Sequence, residues 1–544
     1  MTEQWKYQTV YQIYPRSFKD STGNGVGDIQ GIIEKLDYLQ QLGIGLIWLS
    51  PVYKSPMADN GYDISDYQDI AEEFGSLEDF DQLLREAKAR DIGIMMDLVV
   101  NHSSDEHAWF VDACSNRSSK FRDFYIWRDP AADGDVPNDL QSFFGGPAWT
   151  LHEPTGQYYL HLFDRKQPDL NWQNPQLRQA VYDMMNWWLD RGIAGFRMDV
   201  IDLIGKEIDQ GITADGPLLH TYIREMHERT LAGRDSVTVG EAWSANTENA
   251  LLYSGKNSKE LSMVFQFEHV SQQWDEKLGK WAPKPFDLVA LKRVFNRWQE
   301  ALAEDGWNSL FWGNHDLPRA VSKYGNDGAY REESAKMLAT VLHLMRGTPY
   351  VYQGEEFGMT NATFTRVDQL RDVESLNFLE IQTQAGVSVE QFMAGVNANG
   401  RDNARTPMQW NSSAYAGFST TEPWIEVNPN YTSINAKAAV ADTNSIFHYY
   451  RRLIELRRSS DLIVQGSYTP LLEEHPNILA YLREWDGRRM LVLTNFSDQT
   501  QTALLDRTLV GAGETLICNY DPRSKMEASV ELHPYEALAF LYPV

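Results

Sequence analysis

Eight short apolar runs recur along the chain, at residues 10–14, 46–50, 92–100, 194–200, 236–242, 263–267, 309–313 and 348–353. Between them lie stretches whose apolar residues repeat every three to four positions, at 31–42, 77–90, 175–191, 218–231, 289–304 and 331–345. Strand–helix alternation of this kind implies a parallel sheet, because each return to the same sheet edge needs a crossover. Eight is the number of strands that closes a (β/α)8 TIM barrel. A bare barrel takes about 250 residues, and the interval from the first run to the last is longer, so insertions are required. The largest falls after the third strand, at 103–172, and is rich in aromatics, Gly, Pro and Asp. A second, more helical one lies at about 360–410. Beyond the helix at 445–458 the texture changes to alternating strands, as at 490–495 and 514–518. The expected architecture is an α/β barrel over 1–102 and 173–469, an inserted subdomain at 103–172, and a C-terminal all-β sandwich over 470–544.

Composition narrows the function. With 42% hydrophobic and 12% aromatic residues the chain is globular. A formal net charge of −27 argues against nucleic acid or an anionic membrane as its main ligand. The N-terminus has no basic segment followed by an apolar stretch, and no apolar run reaches 18 residues. The expectation is therefore no secretory signal, no membrane span and a cytoplasmic location. The two cysteines, Cys114 and Cys518, are far apart and lack metal-ligand spacing, which suits free thiols in a reducing compartment. No organic cofactor is expected, and the chain is expected to act as a monomer.

In barrels of this type chemistry is built at the C-terminal ends of the strands. The third run ends Asp97-Leu98-Val99-Val100-Asn101-His102, the fourth contains Arg197 and Asp199, the fifth ends at Glu241, and the seventh leads into Asn314-His315-Asp316. Strand side chains alternate faces, so Arg197 and Asp199 point together. A guanidinium beside a carboxylate favours its ionised form, which is what a nucleophile needs. Taken alone, Arg-x-Asp is as easily a structural ion pair. Three carboxylates on strands four, five and seven are harder to explain as packing.

These motifs resemble the four short conserved regions of the alpha-amylase family (glycoside hydrolase family thirteen). Gln167-Pro168-Asp169-Leu170-Asn171-Trp172 resembles a fifth region found in its oligo-1,6-glucosidase branch. The resemblance implies a retaining glycosidase with Asp199 as nucleophile, Glu241 as general acid/base and Asp316 as the carboxylate that grips sugar hydroxyls. Retention needs two carboxyl groups about 5–5.5 Å apart, one ionised and one protonated. Glu241 is accordingly expected in an apolar or anionic setting, helped by Trp243. The resemblance further assigns His102 and His315 to the first sugar, Asp59 and Arg401 to the wall behind it, and Tyr62 to its stacking platform. Phe163, Gln167 and Arg197 are expected to line the same subsite. A blocked rear wall implies removal of single glucose units from an oligosaccharide end.

Val200, directly after the nucleophile, resembles the residue of enzymes that cleave α-1,6 bonds, where alanine or threonine accompanies α-1,4 preference. Lys280-Trp281 resembles a pair that contacts the second sugar in this branch. The short 202–216 stretch and Trp243 look most like the dextran glucosidases. Trehalose-6-phosphate hydrolases are the nearest alternative, since 364–374 resembles their insertion and Lys280 or Arg366 would have to hold the phosphate. Action on isomaltulose, maltose or sucrose also stays open. The place of the sucrose-isomerase motif reads Val270-Ser271-Gln272-Gln273-Trp274-Asp275, which argues against isomerisation. Finally, Asp20, Thr22, Asn24, the Val26 carbonyl and Asp28 alternate as oxygen ligands would in a calcium loop. A structural Ca2+ (or Mg2+) is expected there, weakened because only two of these are carboxylates.

Overall fold

The computed structural model describes residues 3–132 and 134–543. Its centre is an eight-stranded parallel sheet of β1 (Val10–Ile13), β2 (Leu46–Leu49), β3 (Gly93–Leu98), β4 (Gly195–Met198), β5 (Val237–Glu241), β6 (Met263–Phe265), β7 (Ser309–Phe311) and β8 (Thr348–Tyr352). Each pairs with its sequence neighbour, and β1 pairs with β8 through Val10–Tyr350. The seam between β6 and β7 is closed by one parallel bridge, Val264–Asn308, and by the Ser309 hydroxyl donating to the Val264 carbonyl at 2.8 Å. The ring is complete: a TIM barrel.

Two apolar clusters follow from strand alternation. Val10, Leu46, Trp48, Met95, Val237, Val239, Met263, Phe265 and Tyr350 pack with one another inside the ring. Tyr11, Ile47, Leu49, Ile94, Met96, Phe196, Met198 and Val351 join the cluster shared with the surrounding helices. Gln12, Asp97, Arg197 and Glu241 occupy the same alternation class as the interior set, at the strand ends. Polar side chains there are the last inward positions before the barrel opens. Gly195 is required by close packing: its φ is +151°, and a Cβ would sit 1.7 Å from the Val237 carbonyl oxygen.

The helices carry local signals. Pro175–Arg191 starts with Asn174 accepting the N–H groups of Gln176 and Leu177, has Pro at its first position, and stops at left-handed Gly192. Leu77–Lys88 begins with a Ser76–Asp79 capping box. Three boundaries differ from expectation. Residues 31–42 form two helices, Ile29–Glu34 and Leu36–Leu42, joined at Lys35. The helix at Leu219–Met226 ends in a π turn, His227–Leu231. β3 and β4 stop at Leu98 and Met198, because the residues beyond them turn into the site instead of continuing the ladder.

Within 103–172 a three-stranded antiparallel sheet joins Trp127–Arg128, Gln157–Leu160 and Trp149–His152. The helices Val373–Gln384 and Val389–Asn399 lie in the second insertion. The C-terminal strands form a five-stranded antiparallel sheet and two two-stranded ribbons, beginning at Ser467. Lys292 of the barrel helix Leu288–Ala301 donates to the carbonyls of Leu472, His475 and Ile478 at 2.7, 2.7 and 2.9 Å, pinning this unit to the barrel. Among the described residues no helix is long and apolar enough to cross a membrane, and Cys114 and Cys518 are unpaired.

Candidate active site

One guanidinium organises the barrel mouth. Arg197, 1% exposed, donates through Nη1 to Asp97 Oδ1 and Asp199 Oδ1 at 2.7 Å each, and through Nη2 to Glu241 Oε2. Three buried carboxylates thus share one fixed cation. Burial pushes Asp97 and Asp199 above the usual carboxylate range; Arg197 pulls the other way, and for Asp199 the charges of Glu241 and Asp97 add to the rise. Arg197 alone was expected to keep Asp199 ionised. Shared among three buried carboxylates, its pull on Asp199 is smaller than the cost of burying that group.

Glu241 is buried beside the carboxylates of Asp97 and Asp199, and hydrogen-bond donors reach both of its oxygens. Its Oε2 also accepts the Val200 backbone N–H at 3.2 Å, and its Oε1 accepts the Trp243 indole N–H at 3.1 Å. Val200 makes this contact from φ +34°, a left-handed conformation that is an outlier for a β-branched residue. Its side chain is 7% exposed and packs with Ile126, Ala148, Trp149, Leu160 and Leu162, in the cluster between the barrel and the inserted subdomain. Strand propensity does not account for this valine, since β4 ends two residues earlier. Trp243 is 43% exposed, its indole stacked on Phe267 at 4.0 Å and beside Trp274 at 5.7 Å.

Asp316 is held from another side. Arg405 reaches its Oδ1 at 2.8 Å and Arg401 at 3.3 Å, while His315 Nε2 lies 3.2 Å from Oδ2. Burial opposes ionisation, yet these partners outweigh it and hold the carboxyl well below its usual range. Burial lowers His315 to about 3, so its ring is neutral. The Gln12 amide donates to Nδ1 at 2.8 Å, which leaves the Nε2 proton for Asp316. Tyr62 lies parallel to that ring, centroids 5.1 Å apart, and its hydroxyl donates to Asp97 at 2.9 Å.

Behind them Arg401 contacts Asp59 at 3.3 Å, and the Gln167 amide donates to Asp59 Oδ2 at 3.1 Å and the Tyr62 carbonyl at 3.2 Å. Burial raises Asp59 to about 7 against the pull of Arg401 and Arg405. His102, lowered by burial to about 4, has both ring nitrogens occupied: Asn101 donates to Nδ1 at 3.1 Å and Nε2 faces the Tyr62 carbonyl at 3.0 Å. A sugar hydroxyl would have to displace that carbonyl. Phe163 packs on His102, ring centroids 5.2 Å apart. Lys280 meets Glu374 of the second insertion at 2.5 Å. The sequence candidates of the barrel mouth therefore form one connected cluster. Sequence reading passed over Gln12, Asp97, Asp372, Glu374 and Arg405, although each lies in or beside a motif it had singled out.

The first loop stands apart from this cluster, and the side chains expected to hold a metal there are engaged by donors at Asp20, Asn24 and Asp28. Asp20 Oδ1 accepts the N–H groups of Thr22 and Gly23 at 2.9 and 2.7 Å, and Oδ2 accepts Gly25 N–H at 2.8 Å and the Ser419 hydroxyl at 2.6 Å. Asp28 accepts Ser21 N–H and hydroxyl at 2.8 Å each and caps the next helix through Gly31 N–H at 2.6 Å. Asn24 Oδ1 takes Val26 N–H at 2.8 Å, and the Lys19 ammonium sits 2.6 Å from the Asp20 carbonyl. Donors thus face the side-chain oxygens of Asp20, Asn24 and Asp28.

A closed barrel with an Asp, a Glu and a second Asp at the ends of strands four, five and seven defines a glycoside hydrolase, and the chain belongs to the alpha-amylase family. The family model for the alpha amylase catalytic domain matches residues 12–466, and that for the alpha-amylase SusG C-terminal domain matches 478–538. The chain is 56% identical to a palatinase from Erwinia rhapontici and 54% identical to a glucan 1,6-alpha-glucosidase from Streptococcus pneumoniae, each over 99% of both chains. The crystal structure of trehalose-6-phosphate hydrolase from Bacillus licheniformis superposes with a TM-score of 0.94 at 46% identity, covering 99% of each chain.

Proposed function

We propose that the chain is a retaining exo-acting α-1,6-glucosidase that releases glucose from the non-reducing ends of isomalto-oligosaccharides or dextran. The observation that carries this is Arg197 holding Asp199 and Glu241 together, with Asp59 bonded to Arg401 and Gln167 in the same buried cluster. Asp199 attacks the anomeric carbon, the bond to the glycosidic oxygen breaks, and the leaving oxygen takes the proton of Glu241. Glu241 then accepts a proton from water as that water displaces Asp199 from the sugar. Asp316, kept ionised, accepts sugar hydroxyls, and its grip tightens as the ring flattens toward the transition state.

Linkage is supported by the relative named for 1,6-glucosidase activity and by Val200. A phosphorylated substrate is disfavoured by charge: Lys280 is neutralised by Glu374, and Arg366, 60% exposed in its side chain, pairs with Asp368 at 2.9 Å. Two unpaired thiols suit a reducing cytoplasm. The deciding test is kcat/KM measured in parallel on isomaltose, isomaltotriose, dextran, isomaltulose, maltose and trehalose 6-phosphate. Highest efficiency on unphosphorylated α-1,6 substrates is expected; preference for maltose or the phosphate would replace this reading.

A further inference from the structure

The second insertion reaches the site through a carboxylate that no sugar needs to touch. Asp372, fully buried, is the N-cap of the Val373–Gln384 helix: its Oδ2 accepts Ser375 N–H at 3.1 Å and the Ser375 hydroxyl at 2.7 Å. Its Oδ1 takes Arg401 Nη2 at 2.6 Å and Nε at 2.9 Å, and lies 3.6 Å from Arg405 Nη1. These contacts are shorter than the 3.3 Å that separate Arg401 from Asp59 and from Asp316. The guanidinium is thus seated on Asp372 and only reaches toward the two carboxylates of the pocket. The clasp is reciprocal. Asp402, 1% exposed and in the short Asp402–Arg405 helix, accepts the backbone N–H groups of Arg371 and Asp372 at 2.8 and 3.1 Å. The segment carrying Asp402 holds the backbone of Arg371 and Asp372, and Asp372 receives Arg401 and Arg405 from it in return.

We infer that Asp372 is a positioning residue for the glucose-binding subsite, fixing Arg401 and Arg405 so that Asp316 and Asp59 meet the non-reducing sugar in one geometry. The inference rests on the proposed roles of Asp316 and Asp59. Two N–H groups of one guanidinium donating to the same carboxylate oxygen restrain it in direction as well as in place. Small misplacement of groups that orient a reacting sugar costs about 10²-fold in rate. Because the non-reducing glucose is common to all substrates, loss of Asp372 is expected to act equally whatever the leaving group. Lys280, which the family resemblance assigns to the second sugar, is expected to matter more when that sugar is present.

Asn and Ser cap helices about as well as Asp, so Asp372→Asn and Asp372→Ser remove the charge and keep the cap. Both variants, Lys280→Met and the unaltered enzyme are assayed on isomaltotriose and on p-nitrophenyl α-glucoside, with Tm recorded. Turnover by the unaltered enzyme tests the glucosidase reading by itself. Given that turnover, the Asp372 variants are expected to fold with a lowered Tm and to lose about 10²-fold in kcat/KM on both substrates, and Lys280→Met to lose more on isomaltotriose than on p-nitrophenyl α-glucoside. Asp372 variants within threefold of the unaltered enzyme would overturn the inference. So would a loss confined to isomaltotriose, or failure of both variants to fold, which would make Asp372 a stability residue.

Discussion

Val200 donates its backbone N–H to Glu241 Oε2 at 3.2 Å from a left-handed conformation, φ +34°. An L-residue there costs roughly 1–2 kcal/mol, more with a branched Cβ. The strain persists because the side chain is buried among residues of the inserted subdomain. Position 200 therefore links the proposed acid to the wall of the cleft.

Val200→Ala relieves crowding at that φ and loses two buried methyl groups, so stability is expected to change by under about 1 kcal/mol. The informative readout is linkage. The ratio of kcat/KM on maltose to that on isomaltose is expected to rise about tenfold, the scale of a pocket-shape change of one or two carbons. An unchanged ratio would remove Val200 as the determinant.

Glu241→Gln keeps the shape of the side chain and removes the proton. On isomaltotriose kcat should fall by about 10² to 10⁴. On p-nitrophenyl α-glucoside, whose phenolate leaves without protonation, formation of the glycosyl-enzyme should fall far less. Pre-steady-state release of p-nitrophenol distinguishes the two, and equal losses on both substrates would argue against proton donation by Glu241.

The first loop is satisfied by protons, so exhaustive chelation should leave Tm unchanged and added Ca2+ should not raise it, as a ligand of the native state would. Ser419→Ala, by contrast, takes a donor from buried Asp20 and should cost about 1–2 kcal/mol. A Tm that climbs with Ca2+ concentration would restore the loop as a metal site.

His343 is fully buried in the helix Arg331–Leu344; its Nδ1 lies 3.0 Å from the Ala339 carbonyl and its Nε2 lacks a partner. Burial lowers its pKa to about 3 from an ordinary 6.5. Below pH 6.5 the unfolded chain takes up a proton that the folded one refuses, so this histidine's contribution to stability declines as pH falls from 6.5 toward 3. At pH 5 the decline amounts to about 2 kcal/mol. His343→Leu should lose less Tm than the unaltered protein between pH 7 and pH 5; parallel Tm curves would contradict this.

Sequence by itself determined the barrel. Strand–helix alternation leaves a parallel sheet few alternatives, and period-two alternation is enough to put Arg197 and Asp199 on one face. Glu241 and Asp316 were legible because chemistry concentrates where barrel strands end. Tertiary structure decided what those residues have around them. That one arginine serves Asp97, Asp199 and Glu241 depends on three strands converging, and no local pattern encodes such a distance. The donors around Glu241 come from Val200 and Trp243, one of them through a backbone angle that residue identity argues against. The alternating oxygens of 20–28 looked like a calcium loop because spacing records which ligands exist. Which donors engage them is a matter of loop geometry, and one, the Ser419 hydroxyl on Asp20, comes from some 400 residues away. Asp372 read as part of an insertion, and only folding seats Arg401 on it.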